Sequence, residues 1–228
     1  MAEATITPVV TTSALESLAT HLADAVARRA SSSGLARVAI AGGSVLEVME
    51  RVVARTSPDL WRRVALTLVD ERVVPWSSPD STWGRARSRA GADQAGAVLP
   101  MVVDGEDAKT ACGRFLDGFR QHFQGGLDVA VLGMGEDGHV ASLFPGHRLL
   151  DQTGLVGWLD DAPKPPPTRV TMLFDALNQP QTMRFLYAVG PAKRPALERL
   201  LRRDPTLPAS RLADFTLVTD QPIGELQP

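Results

Sequence analysis

The sequence predicts a single α/β domain spanning residues 1–228, with a mostly parallel sheet and helices on both faces. Three observations carry that expectation. Short apolar runs recur at 35–41, 64–69, 127–132, 185–189 and 215–218, each the length of a buried strand. Stretches of helical period lie between them, the alternation that builds a parallel sheet. Glycines follow two of the runs directly: Gly42-Gly43 after the first, and Gly133, Gly135 and Gly138 after the third. Such turns lie at the carboxyl ends of strands, where open α/β sheets bind ligands.

Taken in order, residues 13–33 read as a first helix. Leu15, Leu18, Leu22 and Val26 fall at helical spacing, Ser13 can cap the start and Gly34 can end it. The strand at 35–41, the glycine turn and an amphipathic run to about Arg55 make half of a βαβ unit. The strand at 64–69 ends at Asp70-Glu71-Arg72. Residues 76–105 show no clear period. A helix is expected over 106–123, around Cys112, Phe115, Leu116 and Phe119, and the central strand 127–132 follows. A short strand is expected within 151–160. Consecutive prolines make 162–167 a loop, since they cannot donate to a ladder. Strands at 170–174 and 185–189, a helix from Gly190-Pro191 to about Arg202, and a last strand at 215–218 complete the chain. There are no internal repeats and no linker.

Composition narrows the function. The chain is 44% hydrophobic with a net charge of −2, so it can build a sizeable core. Its cations are dispersed, with no basic block for nucleic acid or anionic lipid. Cys112 is the only cysteine, which excludes an internal disulfide and a thiolate metal site. No stretch approaches the ~18 apolar residues of a membrane span, and the first ten residues lack the features of a signal peptide. A reducing, cytoplasmic setting is expected, without partners of nucleic acid or membrane.

The stretch 127–147 is the most informative. Gly133, Gly135 and Gly138 spell GxGxxG, which a dinucleotide site uses. That fingerprint also wants a helix directly after the turn, and Pro145-Gly146 would cut one short. The same stretch reads as a catalytic turn, with His139 as a base and Asp137 orienting it, because neutral imidazole takes a proton near pH 7. Its midpoint is expected near the ordinary value of about 6.5, raised by Asp137. Gly42, Gly43 and Ser44 between a strand and a helix suit a phosphate, or simply a turn capped by Ser44. Asp70 should face the sheet's carboxyl edge, although three charges in a row usually mark solvated surface. Lys164 and Arg169 bracket the proline loop. Lys193 sits at the helix end that the dipole disfavours for a cation, which suggests an anionic partner. His21, His122 and His147 suggest no function, and no spacing points to a metal or cofactor.

Residues 133–146 match the pattern Gly-x-Gly-x-Asp-Gly-His followed by Ala-Ser-Leu-Phe-Pro-Gly, and so resemble the 6-phosphogluconolactonase family. Three further blocks are similar to it. Gly42-Gly43-Ser44 resembles its phosphate loop, departing at Ala41, Val45 and Leu46. Asp70-Glu71-Arg72 matches its acidic-basic triplet, but Ser81-Thr82 stands where the family has Ser-Asn. The run from Pro163 to Thr171 is similar to its proline loop, and Lys193 to its phosphate-binding lysine. The resemblance implies the sheet of glucosamine-6-phosphate isomerases, a Rossmann-related fold. It also implies metal-free hydrolysis of 6-phospho-D-glucono-1,5-lactone in the oxidative pentose phosphate route, by a monomer or homodimer. The implied catalytic set is His139, Asp137, Asp70 and Arg72. Arg72 would hold the substrate or steady charge on the lactone oxygen. The phosphate falls to Gly42, Gly43, Ser44, Arg169 and Lys193. An isomerase or deaminase of the same fold, or a sugar-phosphate sensor without catalysis, are the alternatives. The first would carry Asp-Glu-Tyr at 70–72, and the second would lack the base.

Overall fold

The computed structural model describes residues 4–223. Its frame is a seven-stranded, all-parallel sheet. The chain opens with β1 (Ile6–Val10), α1 (Ala14–Ser33), β2 (Ala36–Ile40) and α2 (Val45–Arg55). A one-turn α3 (Pro58–Trp61) leads to β3 (Val64–Leu68), β4 (Asp70–Arg72), α4 (Thr82–Arg89) and β5 (Ala97–Leu99). Then come α5 (Ala108–His122), β6 (Val129–Gly133), β7 (Val156–Leu159) and β8 (Arg169–Met172). The last elements are α6 (Phe174–Leu177), β9 (Met183–Tyr187), α7 (Arg194–Leu201) and β10 (Phe215–Thr219).

The strand order is β1-β10-β9-β6-β2-β3-β5. The connections from β1 to β2, to β3 and to β5 step across the sheet in one direction. Those from β5 to β6, to β9 and to β10 step back in the other. Right-handed crossovers therefore put α1, α2 and α4 on one face and α5 and α7 on the opposite one. The chain leaves neighbouring β2 and β6 in opposite directions, so a crevice opens above their carboxyl ends.

The apolar runs become strands because both faces are covered. Every residue of β3 is buried, as are four of the five in β6, which is why neither alternates polar with apolar. On α5, Phe115 and Phe119 are four residues apart and stack with centroids 5.8 Å apart. Phe119 then stacks on Phe123 at 5.4 Å. This aromatic column faces the core.

Several expectations need correction. Ser13 occupies the N-cap of α1 but its side chain makes no capping bond, while Gly34 does end the helix with φ of 77°. The stretch 76–105 is not irregular throughout, because it holds α4 and the edge strand β5. The signal for α4 is polar rather than periodic: Ser81 Oγ accepts from the N–H of Gly84 at 2.9 Å. The strand expected at 170–174 stops at Met172, and Phe174 begins α6. No apolar pattern announced β1, whose residues are half exposed at the sheet edge.

The largest surprise is a second sheet of three antiparallel strands, β4-β8-β7. Asp70-Glu71-Arg72 is thus a strand, not a solvated tail. Glu71 is 1% exposed. Its carboxylate accepts from the N–H of Arg72 at 2.7 Å, of Thr82 at 2.9 Å and of Trp83 at 2.5 Å, and from Ser81 Oγ at 3.2 Å. It therefore ties β4 to the amino end of α4. Burial pushes its carboxyl up, against the lowering effect of the N–H groups of Trp83, Thr82 and Arg72. Glu71→Ala would strand those donors, and we expect a loss of about 3 kcal/mol in urea unfolding. An unchanged midpoint would show that the tie carries no stability.

Candidate active site

The crevice above the sheet is a cleft of about 300 Å³. Its walls come from the carboxyl ends of four adjacent strands, β9, β6, β2 and β3, and from the proline loop. Of the residues singled out in the sequence, Gly42, Gly43, Ser44, Asp70, Arg72, His139, Arg169 and Lys193 all line it. Asp137 stands directly behind His139.

One end is built on the turn after β6. His139 Nδ1 lies 2.5 Å from Asp137 Oδ1. A carboxylate accepts, so Nδ1 carries the proton and Nε2 keeps its lone pair. No group among the described residues bonds to Nε2. The dyad exists because residue 135 is glycine. A Cβ there would sit 2.0 Å from His139 Nδ1 and 2.4 Å from Asp137 Oδ1. The ring of His139 leans on Phe144, with centroids 4.7 Å apart.

Electrostatics set the dyad's protonation. Burial pushes His139 below its ordinary value of 6.5, and outweighs the bond and charge of Asp137, which raise it. The expectation that Asp137 would lift the midpoint is thus reversed, because desolvation of the imidazolium is the larger effect. Asp137 is held below the usual carboxylate range. Burial raises it, but the His139 bond and the charges of His139 and Lys164 prevail. Lys164 Nζ is 3.5 Å from Asp137 Oδ1. At neutral pH the pair is therefore neutral imidazole and carboxylate.

Asp70 lies beside this end. Its Oδ2 accepts from the buried Ser142 Oγ at 2.6 Å and faces Arg169 Nη1 at 3.9 Å. Arg169 is 3% exposed and heavily committed. Its Nε donates to the carbonyl of Pro166 at 2.9 Å, and Nη2 to those of Lys164 and Pro165 at 2.8 and 3.2 Å. Nη1 reaches Ser142 Oγ at 3.4 Å, and the guanidinium lies over the Phe144 ring. The sequence placed Arg169 on a phosphate; it lines the cleft, and its visible bonds clamp the proline loop beside His139. Arg72 Nη1 donates to the carbonyl of Asp80 at 2.8 Å, leaving the rest of its fork at the cleft.

The other end is the turn after β2. Gly43 takes φ of 63°, which a side chain would resist, and turns the chain into α2. Ser44 makes no side-chain cap. The N–H groups of Gly43 and Ser44 have no acceptor among the described residues. Free N–H groups at the start of an eleven-residue helix favour an anion. Lys193 ends the turn Pro191–Lys193, and its ammonium has no ion pair or hydrogen bond among the described residues. Thr82, which departs from the family's asparagine, also lines the cleft and lies against Gly42.

His147 does have a partner: its Nε2 is 2.9 Å from Asp161 Oδ1. His21 Nδ1 bonds the carbonyl of Ser17 at 2.7 Å within α1. Neither reaches the cleft. Among the described residues no three His, Cys, Asp or Glu side chains gather as a metal site. None of the described helices is long and apolar enough to cross a membrane. The sequence reading missed Tyr187 and Val189, which line the cleft from the end of β9. Their apolar strand gave no chemical signal.

A glycine turn with free N–H groups and a histidine–carboxylate pair share one cleft at the switch point of a parallel sheet, the arrangement of an α/β enzyme for small molecules. The chain belongs to the family of glucosamine-6-phosphate isomerases and 6-phosphogluconolactonase, whose model matches residues 10–219. It is 35% identical to 6-phosphogluconolactonase of Rattus norvegicus, over 88% of this chain and 84% of that one. It is 34% identical to 6-phosphogluconolactonase of Homo sapiens, over 90% and 86%. Among solved structures, 6-phosphogluconolactonase of Thermotoga maritima superposes with a TM-score of 0.84 at 25% identity, covering 94% of this chain and 99% of that one.

Proposed function

We propose that the protein hydrolyses 6-phospho-D-glucono-1,5-lactone to 6-phosphogluconate, in the oxidative pentose phosphate pathway. The observation that carries this reading is the pair at the cleft: His139 with Nδ1 held by Asp137 and Nε2 open, opposite the free N–H groups of Gly43 and Ser44. The 35% identity to a named lactonase supports it.

A δ-lactone is an activated ester, so water suffices as nucleophile once a base takes its proton. His139 Nε2 accepts that proton as the water oxygen bonds to the lactone carbonyl carbon. The carbonyl electrons move onto its oxygen, and the open N–H groups of Arg72 steady that charge. Collapse breaks the bond to the ring oxygen, which takes the proton from the imidazolium. The product acid then ionises. Asp137 fixes the ring tautomer, and Asp70 holds Ser142 and Arg169 so that the proline loop keeps its shape. The phosphate is anchored by Gly42, Gly43, Ser44 and Lys193, with Arg169 acting first on the loop. The lone Cys112 supports a cytoplasmic setting.

The direct test is a pH-stat assay with fresh lactone, corrected for spontaneous hydrolysis; a rate at background would overturn the reading. Lys193→Ala should raise KM by about tenfold or more, the loss of one charge-assisted hydrogen bond, with little change in kcat. Turnover of unphosphorylated gluconolactone should be poor and indifferent to the change. Equal efficiency on the two lactones would remove Lys193 from the anchor.

A further inference from the structure

Tyr187 is the one tyrosine of the chain. It closes β9, directly opposite Gly133 of β6 in the sheet register. It is 5% exposed, and what exposure it has faces the cleft. Its hydroxyl has no hydrogen-bond partner among the described residues. It is not among the buried side-chain atoms that lack a partner, so it opens on the cleft, where a phenylalanine would fill the same space without offering a donor.

Tyr187 lies three residues before Gly190, where the turn to Lys193 begins, and lines the cleft together with Gly43, Ser44 and Lys193. Burial first, then Glu47 in the first turn of α2 and Asp220 just after β10, push its phenol up. None of these carboxylates acts on His139, which responds to Asp137, Lys164 and Asp70. Asp220 Oδ1 is already taken by the N–H of Gly190 at 2.9 Å and by Gln221 Nε2 at 2.7 Å. The phenol is thus a neutral donor at physiological pH, in the cleft that it lines together with Gly43, Ser44 and Lys193.

We propose that Tyr187 is a phosphate-binding residue, its hydroxyl donating to the anionic group of the substrate beside Gly43, Ser44 and Lys193. The inference rests on the sugar-phosphate reading above. A neutral donor suits this position, because it adds a hydrogen bond without drawing Glu47 into an ion pair that would compete with the ligand.

The test compares wild type with Tyr187→Phe, by calorimetric titration with 6-phosphogluconate and with gluconate. The variant should bind 6-phosphogluconate about tenfold more weakly. Its affinity for gluconate should be unchanged, and its kcat on the lactone should stay within about twofold. Because the chain has one tyrosine, the tyrosinate absorbance of the wild type reports this residue alone. Adding 6-phosphogluconate should move that titration further up, since a dianion beside the hydroxyl disfavours ionisation. Equal affinities, or a titration that 6-phosphogluconate leaves in place, would overturn the assignment while an active wild type keeps the lactonase reading intact. A wild type that neither hydrolyses the lactone nor binds 6-phosphogluconate would overturn both. Should the variant fail to fold, the absorbance titration of the wild type decides.

Discussion

Replacing His139 with alanine should lower kcat by about 10²–10⁴-fold, the usual contribution of a general base. KM should move far less, because Gly43, Ser44 and Lys193 are untouched. The wild-type kcat/KM, which reports the free enzyme, should fall in acid, and the sign follows from the site. Burial holds the imidazole below 6.5, so the base stays deprotonated through neutral pH and the acid limb bends below that value. The same depression gives a stability contribution that is present above 6.5 and is lost as pH falls through the lower folded value. A folded His139→Ala protein with kcat near wild type would shift the base to Asp70. An acid limb centred above 6.5 would mean that Asp137, not burial, governs the ring.

Gly135→Ala should be nearly as damaging without touching a functional group. The added methyl would meet His139 Nδ1 and Asp137 Oδ1 at distances no real Cβ tolerates. Both are side-chain ends, so they can swing away and let the protein fold, but the bond between them cannot survive. We expect kcat to fall by about 10²-fold or more, close to the loss of the base itself. Thermal stability should change little, and binding of 6-phosphogluconate should persist. A crystal structure of the variant with the 2.5 Å contact intact, or a kcat within a few-fold of wild type, would defeat the argument.

Much of this architecture could be read from the chain. Buried parallel strands announce themselves as apolar runs: β2 and β3 lie within the expected segments, and β6, β9 and β10 overlap theirs with ends shifted by one or two residues. Glycines after β2 and β6 marked the two ends of the cleft, because a turn that approaches a ligand tolerates little else. Other features left no local trace. Glu71 looked solvated among three charges, and the donors of Arg72, Ser81, Thr82 and Trp83, up to twelve residues away, make its burial tolerable. The small antiparallel sheet is a pairing between β4 and β8, nearly a hundred residues apart, which no local period encodes. Arg169 reads as a free cation until the carbonyls of the proline loop close around it. Tyr187 reads as one more apolar strand residue. The direction of the His139 shift depends on how deeply the ring is buried, and sequence carries no depth.

The outermost seam of the main sheet joins the two ends of the described chain. β1 pairs in parallel with β10, from Ile6 opposite Phe215 to Val10 opposite Thr219. During synthesis, β1 leaves the ribosome before the other described strands yet has no neighbour until β10 follows, some two hundred residues later. The amino-terminal strand must therefore wait, exposed, while the cleft-forming strands β2, β3, β6 and β9 find one another. Its docking is a late, topologically distant event, of the kind that slows folding. The strands that carry the cleft can therefore pair before the sheet edge is sealed, since β1 finds its only sheet partner in the last strand of the described residues.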